Sequence, residues 1–167
     1  MTNPVLIVID VQQDFFQISP TTAQSLRAAI EVINAAITLF REKALPVISV
    51  QHINESEGLK PGNPGFDLPT DLHILPEDLH IHKTYGNAFN KTGLADHLCE
   101  LGGGPLILAG FCAEYCVLST YRGALDQDFK PLMLQGGLAS ETPEHIRFVE
   151  AISEGLTVGA LSSLLDR

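Results

Sequence analysis

The sequence predicts an α/β domain of three layers, with helices covering both faces of a mostly parallel β-sheet. Three observations carry that prediction. Short apolar runs lack polar alternation, helical stripes fall between them, and reactive side chains repeatedly follow the last residue of a run. Runs without alternation are strands covered on both faces, and strands separated by helices form parallel crossovers.

Val5–Ile9, after Pro4, is the first such run and ends at Asp10. Leu26, Ile30, Ile33, Ile37 and Phe40 recur at steps of four and three, the stripe of an amphipathic helix lying on a sheet. Pro46 closes that segment and Val47–Val50 supplies the second strand, so the chain opens as a β-α-β unit, whose crossover is almost always right-handed. From His52 to Leu79 periodicity fails, and Gly58, Pro61, Gly62, Pro64, Gly65, Pro69 and Pro76 interrupt the chain. A loop of that length in a compact domain usually carries function or forms a lid. Leu79–Lys83 reads as a short third strand that delivers Lys83 to its carboxyl end. Leu94, Leu98 and Leu101 mark a helix closed by Gly102–Gly104, and Leu106–Ala109 is a further buried strand. The stretch Gly110–Asp126, GFCAEYCVLSTYRGALD, turns that strand into a helix, with Cys116 in its first turn and Val117, Tyr121 and Leu125 on its inner face. Pro131–Leu134 reads as a strand, Pro143–Ile152 as a helix, and the tail from Leu156 as a short strand and a terminal helical turn. No linker, repeat or low-complexity tract divides the chain, so residues 1–167 are expected to form a single domain.

Composition narrows the function classes. Twenty acidic side chains stand against 10 basic ones, a formal charge of −10, and no basic run follows a phosphate backbone, so nucleic acid and anionic membrane are poor partners. Hydrophobic residues make up 45%, too many for a disordered chain. The amino terminus, MTNPVLIVIDVQQDFF, lacks the charged head and long apolar centre of a signal peptide, and no segment is long enough to span a bilayer. Three cysteines are too few and too irregular for a disulfide framework, and a reducing, cytoplasmic compartment is expected.

Asp10, His52, Lys83 and the Gly110–Cys116 turn all follow predicted strands, and in open parallel sheets sites form beyond the carboxyl ends. A thiol becomes a strong nucleophile where a base takes its proton and a cation holds the thiolate. A helix amino terminus adds unpaired N–H groups and a partial positive charge. Asp10 is the candidate base and Lys83 the candidate cation, each keeping the other ionised. The plain alternatives are a small buried hydrophobe for Cys116, a solvated loop acid or cap for Asp10 and a surface lysine for Lys83; their common placement at strand ends favours the reactive reading. Phe16, Tyr85, Phe89, Tyr115 and Tyr121 are aromatic candidates for a pocket wall, and equally for core or interface. His52 either contacts substrate as a neutral donor or acceptor or satisfies its loop. Gln12 and Asp14 either orient Asp10 or cap the segment that follows, with the structural role favoured for Asp14. Glu114 and Arg122 read as a local pair beside the nucleophile's helix.

Three ordered segments, VLIVIDVQQDFF, HKTYGNAFNKTGL and GFCAEYCVLSTYRGALDQDFKPLML, resemble the isochorismatase-like cysteine hydrolases, a group that includes nicotinamidases and carbamoyl-amide hydrolases. The resemblance covers nearly the whole chain. It implies a Rossmann-like, six-stranded sheet of order 3-2-1-4-5-6 and a catalytic triad of Asp10, Lys83 and Cys116. It also implies a non-proline cis peptide between Phe111 and Cys112, and an oxyanion hole formed by the backbone N–H groups of Cys112 and Cys116. The implied reaction is hydrolysis of the C–N bond of a small amide or carbamoyl compound through a Cys116 thioester, without a cofactor. Relatives are commonly homo-oligomers, dimers or tetramers, which implies the same here.

Departures from the family pattern narrow the branch. Nicotinamidases carry an Asp-x-His pair just after the second strand, with a further histidine, to hold a metal. Here those positions are His52 and Asn54, so the pattern is broken and no metal is expected. Asp71 and His73 form such a pair only inside the long loop, and read as solvated loop chemistry. Isochorismatases proper cleave a vinyl ether and do not need a cysteine, so Cys116 favours the amidase branch. Vinyl ether hydrolysis, and thiol redox chemistry between Cys112 and Cys116, are the alternatives. There is no phosphate-binding glycine loop of the Walker type and no G-x-S-x-G elbow.

Overall fold

Strand β1 (Val5–Ile9) is buried along its whole length because its alternate side chains enter two different cores. Val5, Ile7 and Ile9 face one, and Leu6 and Val8 face the other. Around it the chain forms α1 (Pro20–Glu42), β2 (Val47–His52), β3 (Leu79–Lys83), α2 (Leu94–Glu100), β4 (Leu106–Phe111) and α3 (Leu118–Asp126). It finishes with β5 (Pro131–Ala139), α4 (Pro143–Ala151), β6 (Gly155–Leu156) and α5 (Val158–Leu165). These assignments come from a computed structural model that describes residues 3–166; residues 1, 2 and 167 of the expected domain lie outside the described residues. The six strands run in the order β3-β2-β1-β4-β5-β6 and every neighbouring pair is parallel. Helices α1 and α5 cover one face and α2, α3 and α4 the other, the expected Rossmann-like sandwich.

Helix α1 buries its anticipated stripe, with Ala29 and Ala36 filling the gaps between the larger side chains. It starts before that stripe, at Pro20, because Ser19 accepts a hydrogen bond from the Thr22 N–H (3.0 Å) and Pro20 suits the first helical position. Helix α3 corrects the sequence reading. Thr120, Tyr121 and Ala124 face the core, which rotates Leu125 out to 49% exposure. Leu101 likewise lies past the end of α2 and is exposed. Strand β5 does not stop at Leu134. A register shift opposite Leu108 and Gly110 absorbs Gly136 and Gly137, and the strand resumes to deliver Ser140. The terminal helical turn is a full eight-residue helix, capped by Thr157 and anchored by buried Leu161.

The 52–79 loop is locally ordered. It contains short 3-10 turns at Glu55–Glu57 and Pro64–Phe66, and buries Leu59, Phe66 and Leu72. Gln51 donates to the Phe66 carbonyl (2.9 Å), and Asn34 of α1 clasps the backbone of Asp71 and His73. That clasp leaves the side chains of Asp71 and His73 exposed.

Gly110 lets β4 approach β1 closely. It pairs with Ile9 at φ +122°, and a Cβ there would lie 2.0 Å from the Ile9 carbonyl oxygen. Substituting Gly110→Ala is expected to destabilise the fold by about 3 kcal/mol or more, read as a lower urea midpoint at unchanged slope.

Candidate active site

Strand order reverses between β1 and β4, and the crevice beyond their carboxyl ends is where such sheets place their chemistry. Asp10 follows β1 with φ +53°, a left-handed turn that swings the chain off the sheet. His52 and Lys83 are the last residues of β2 and β3, aligned in register. After β4, the Phe111–Cys112 peptide bond is cis and Ala113–Val117 forms a single π-helical turn holding Cys116. Cys116 therefore sits in a π turn that runs directly into α3, two residues before α3 begins. The carbonyl of Cys112 takes the N–H groups of both Tyr115 (3.0 Å) and Val117 (3.2 Å), the wide ring of a π turn.

Lys83 lies at the centre. Its ammonium is 2.8 Å from Asp10 Oδ2, 3.0 Å from His52 Nδ1 and 3.4 Å from Cys116 Sγ, one acceptor for each of its three N–H bonds. Both members of the ion pair are buried, while Cys116 and His52 are partly exposed. Asp10 Oδ1 is buried and has no hydrogen-bond partner among the described residues. The ligating atoms of Asp10, His52 and Cys116 lie within 4.8 Å of one another, close enough to hold a metal ion. Lys83 already stands among them as a cation, so a metal there would have to displace it.

Burial governs the protonation states. It pushes the Cys116 thiol up to about 11, with the Asp10 charge adding to the rise and Lys83 opposing it. Burial also raises Asp10, against the pull of Lys83. His52 is lowered to about 4, first by burial and then by the Lys83 charge, so it is neutral near pH 7. The thiol is thus neutral near pH 7, beside the 2.8 Å contact between Asp10 and Lys83.

Several residues singled out from the sequence have other work. Phe89 lies in the core, stacked on Phe129 at 5.7 Å, and Tyr121 accepts a hydrogen bond from the Glu154 N–H. The neighbouring Ala88 N–H bonds Thr120, docking the segment after β3 onto α3. Phe16 is half-buried, packed against the α1 core, and it is Phe15 whose ring meets Phe111 at 4.9 Å. Tyr85 is 42% and Tyr115 66% exposed. Gln12 stands at the N-cap position of the Gln13–Gln17 turn, but its side chain makes no cap hydrogen bond. Its amide is fully buried and clamps the backbone of His52, accepting from the N–H at 2.7 Å and donating to the carbonyl at 3.0 Å.

Glu114 does not pair with Arg122. Its carboxylate accepts from the Cys112 thiol (3.1 Å), the Ser140 hydroxyl (2.9 Å) and His145 Nδ1 (2.8 Å). Against its burial, these bonds hold its carboxyl below the ordinary value. Burial and this carboxylate push the Cys112 thiol up to about 12. The two thiols thus belong to separate networks, and neither has the depressed pKa of a redox-active cysteine. Ser140 is hidden in the sequence because Gly136 and Gly137 mask the end of β5, and the apolar Leu138 and Ala139 beyond them are the signal that the strand resumes; His145 sits on an expected helix, but nothing in its spacing joins it to Glu114.

Comparison with known proteins agrees with this geometry. Residues 4–152 match the model of the isochorismatase domain. The isochorismatase family protein YddQ of Bacillus subtilis is 26% identical over 140 residues, 82% of this chain and 78% of that protein. Streptothricin hydrolase of Streptomyces noursei is 29% identical over 124 residues, 72% of this chain and 48% of that enzyme. An isochorismatase-like hydrolase from Alkaliphilus metalliredigens superposes with a TM-score of 0.87 over 97% of this chain and 98% of its own, at 22% identity, which establishes the shared fold.

The opposing influences on the thiol separate nucleophilicity from catalysis. Asp10→Asn removes the charge that raises Cys116, so Cys116 should alkylate about tenfold faster with iodoacetamide at pH 8, while Lys83→Met slows it. In the unaltered protein the alkylation rate should climb with pH toward a midpoint near 11. Peptide mapping of the alkylated site checks each rate.

Proposed function

The chain belongs to the isochorismatase family of hydrolases, and from that premise we propose that it cleaves the C–N bond of a small amide or carbamoyl compound through a thioester on Cys116. The observation that carries the reading is the meeting of thiol, carboxylate and ammonium from three separate strand ends, with one carboxylate oxygen left free. Lys83 occupies Asp10 Oδ2, so Oδ1 is the base. It takes the thiol proton as Sγ attacks the carbonyl carbon, forming a C–S bond and a tetrahedral oxyanion. The N–H groups of Cys112 and Cys116 stabilise that oxyanion. Collapse breaks the C–N bond, and Asp10 returns its proton to the departing nitrogen. Asp10 then takes a proton from water as the water attacks the thioester; collapse breaks the C–S bond, the carboxylic acid leaves and Asp10 returns that proton to Sγ.

A thiol held near pKa 11 would be almost wholly protonated at pH 7, so the proton must move with substrate in place rather than beforehand. Lys83 supplies the compensating charge once Sγ becomes anionic. The exposed rings of Tyr85, two residues after Lys83, and Tyr115, next to Cys116 in the chain, support a further part of the reading, that a second copy of the chain covers this side of the site.

An ammonia-release screen over small primary amides and carbamoyl compounds tests the chemistry. Cys116→Ser and Asp10→Asn should each lower turnover by about a thousandfold or more. Intact-mass analysis of quenched reactions should find an acyl adduct on Cys116. Full turnover by Cys116→Ala on an identified substrate would sink the assignment.

A further inference from the structure

His52 is held by two sets of contacts. Gln12 fixes its backbone, and the Lys83 ammonium fixes its ring through Nδ1. A lysine ammonium only donates, so Nδ1 must accept, and a neutral imidazole that accepts at one nitrogen carries its proton on the other. Burial and the Lys83 charge keep the ring neutral near pH 7, which leaves one tautomer. Among the described residues no protein group hydrogen-bonds the opposite nitrogen, the side chain is only half-buried, and one of its ring nitrogens lies within 4.8 Å of Asp10 and Cys116 ligand atoms.

We propose that His52 is a substrate-recognising donor, its Nε2–H set by Lys83 and offered to a second acceptor, a carbonyl or carboxylate, on the amide that Cys116 attacks. The inference rests on the amidase reading and names its substrate class: small amides with a second carbonyl-type acceptor beside the scissile one. His52 in this tautomer cannot take a proton at Nε2, so it is not a general base. A substrate whose remote end is hydrocarbon would cover the donor and leave it unpaired, and a site built around a hydrogen bond discriminates strongly against such a ligand.

The tautomer and the recognition can both be measured without turnover. Long-range 1H–15N correlation spectra of the Cys116→Ser protein should show Nε2 protonated and Nδ1 bare. Malonamide should shift the Nε2–H resonance, whereas isovaleramide, which replaces one amide group with an isopropyl group of similar shape, should not. A protonated Nδ1, or equal responses to the two compounds, overturns the proposal. Where the unaltered protein turns both over, kcat/KM should favour malonamide by about tenfold or more. His52→Asn keeps an acceptor near the Nδ1 position while removing the remote donor, so it should lower kcat/KM for malonamide about tenfold more than for isovaleramide, mainly through KM, and so erase that preference. His52→Gln does the reverse, restoring a donor near Nε2 but releasing Lys83, and should lower kcat for both. Equal loss on both substrates in His52→Asn would show a merely structural role and overturn the proposal. Failure of the amidase reading is read separately, as the absence of any Cys116 acyl adduct while the spectra remain as expected.

Discussion

A single buried ammonium organises the site. Lys83 comes from β3, at the edge of the sheet, yet its side chain reaches past β2 to a carboxylate at the end of β1 and a thiol beyond β4. Withdrawing two charges from water is expensive, and removing one partner of such a pair commonly costs about 3–5 kcal/mol. The pair is therefore poor value as a stabilising device and good value as stored electrostatics. It holds a positive charge 3.4 Å from the Cys116 sulfur. Every other element near the crevice keeps this geometry: the left-handed turn at Asp10, the close approach at Gly110 and the π turn at Cys116.

The fold was legible because buried parallel strands write themselves as unbroken apolar runs. Val5–Ile9 and Leu106–Ala109 needed no context to be recognised. Boundaries were less legible where a local signal competed with tertiary pairing. Gly136 and Gly137 look like the end of a strand, but β4 and β5 accept them as a bulge and the strand runs on. Leu125 fits a helical stripe begun at Val117, but Ala124 takes the core position and Leu125 faces solvent.

For the site, the ends of strands disclosed Asp10, Lys83 and Cys116, since a polar residue after an apolar run is visible in one dimension. Hydrogen-bond partnerships were not. Nothing in the spacing of Gln12 and His52, forty residues apart, announces that one clamps the other. The Glu114 network joins the end of β4 to Ser140 after β5 and His145 of α4, three segments whose proximity exists only once the sheet is assembled. A nearby charge in sequence, Arg122, was the natural partner to expect, and a helix that turns it outward is why it is not one.

The Gln12 clamp has a consequence for how the crevice recognises its ligand. Because a buried amide bolts the end of β1 to the end of β2, the imidazole and the carboxylate cannot drift apart when the crevice is empty. On the proposed chemistry, recognition would then need little induced rearrangement of the reacting groups. Beyond His52 the 52–79 loop bears none of these clamping contacts, and is then a wall that can change while the floor of the crevice stays fixed.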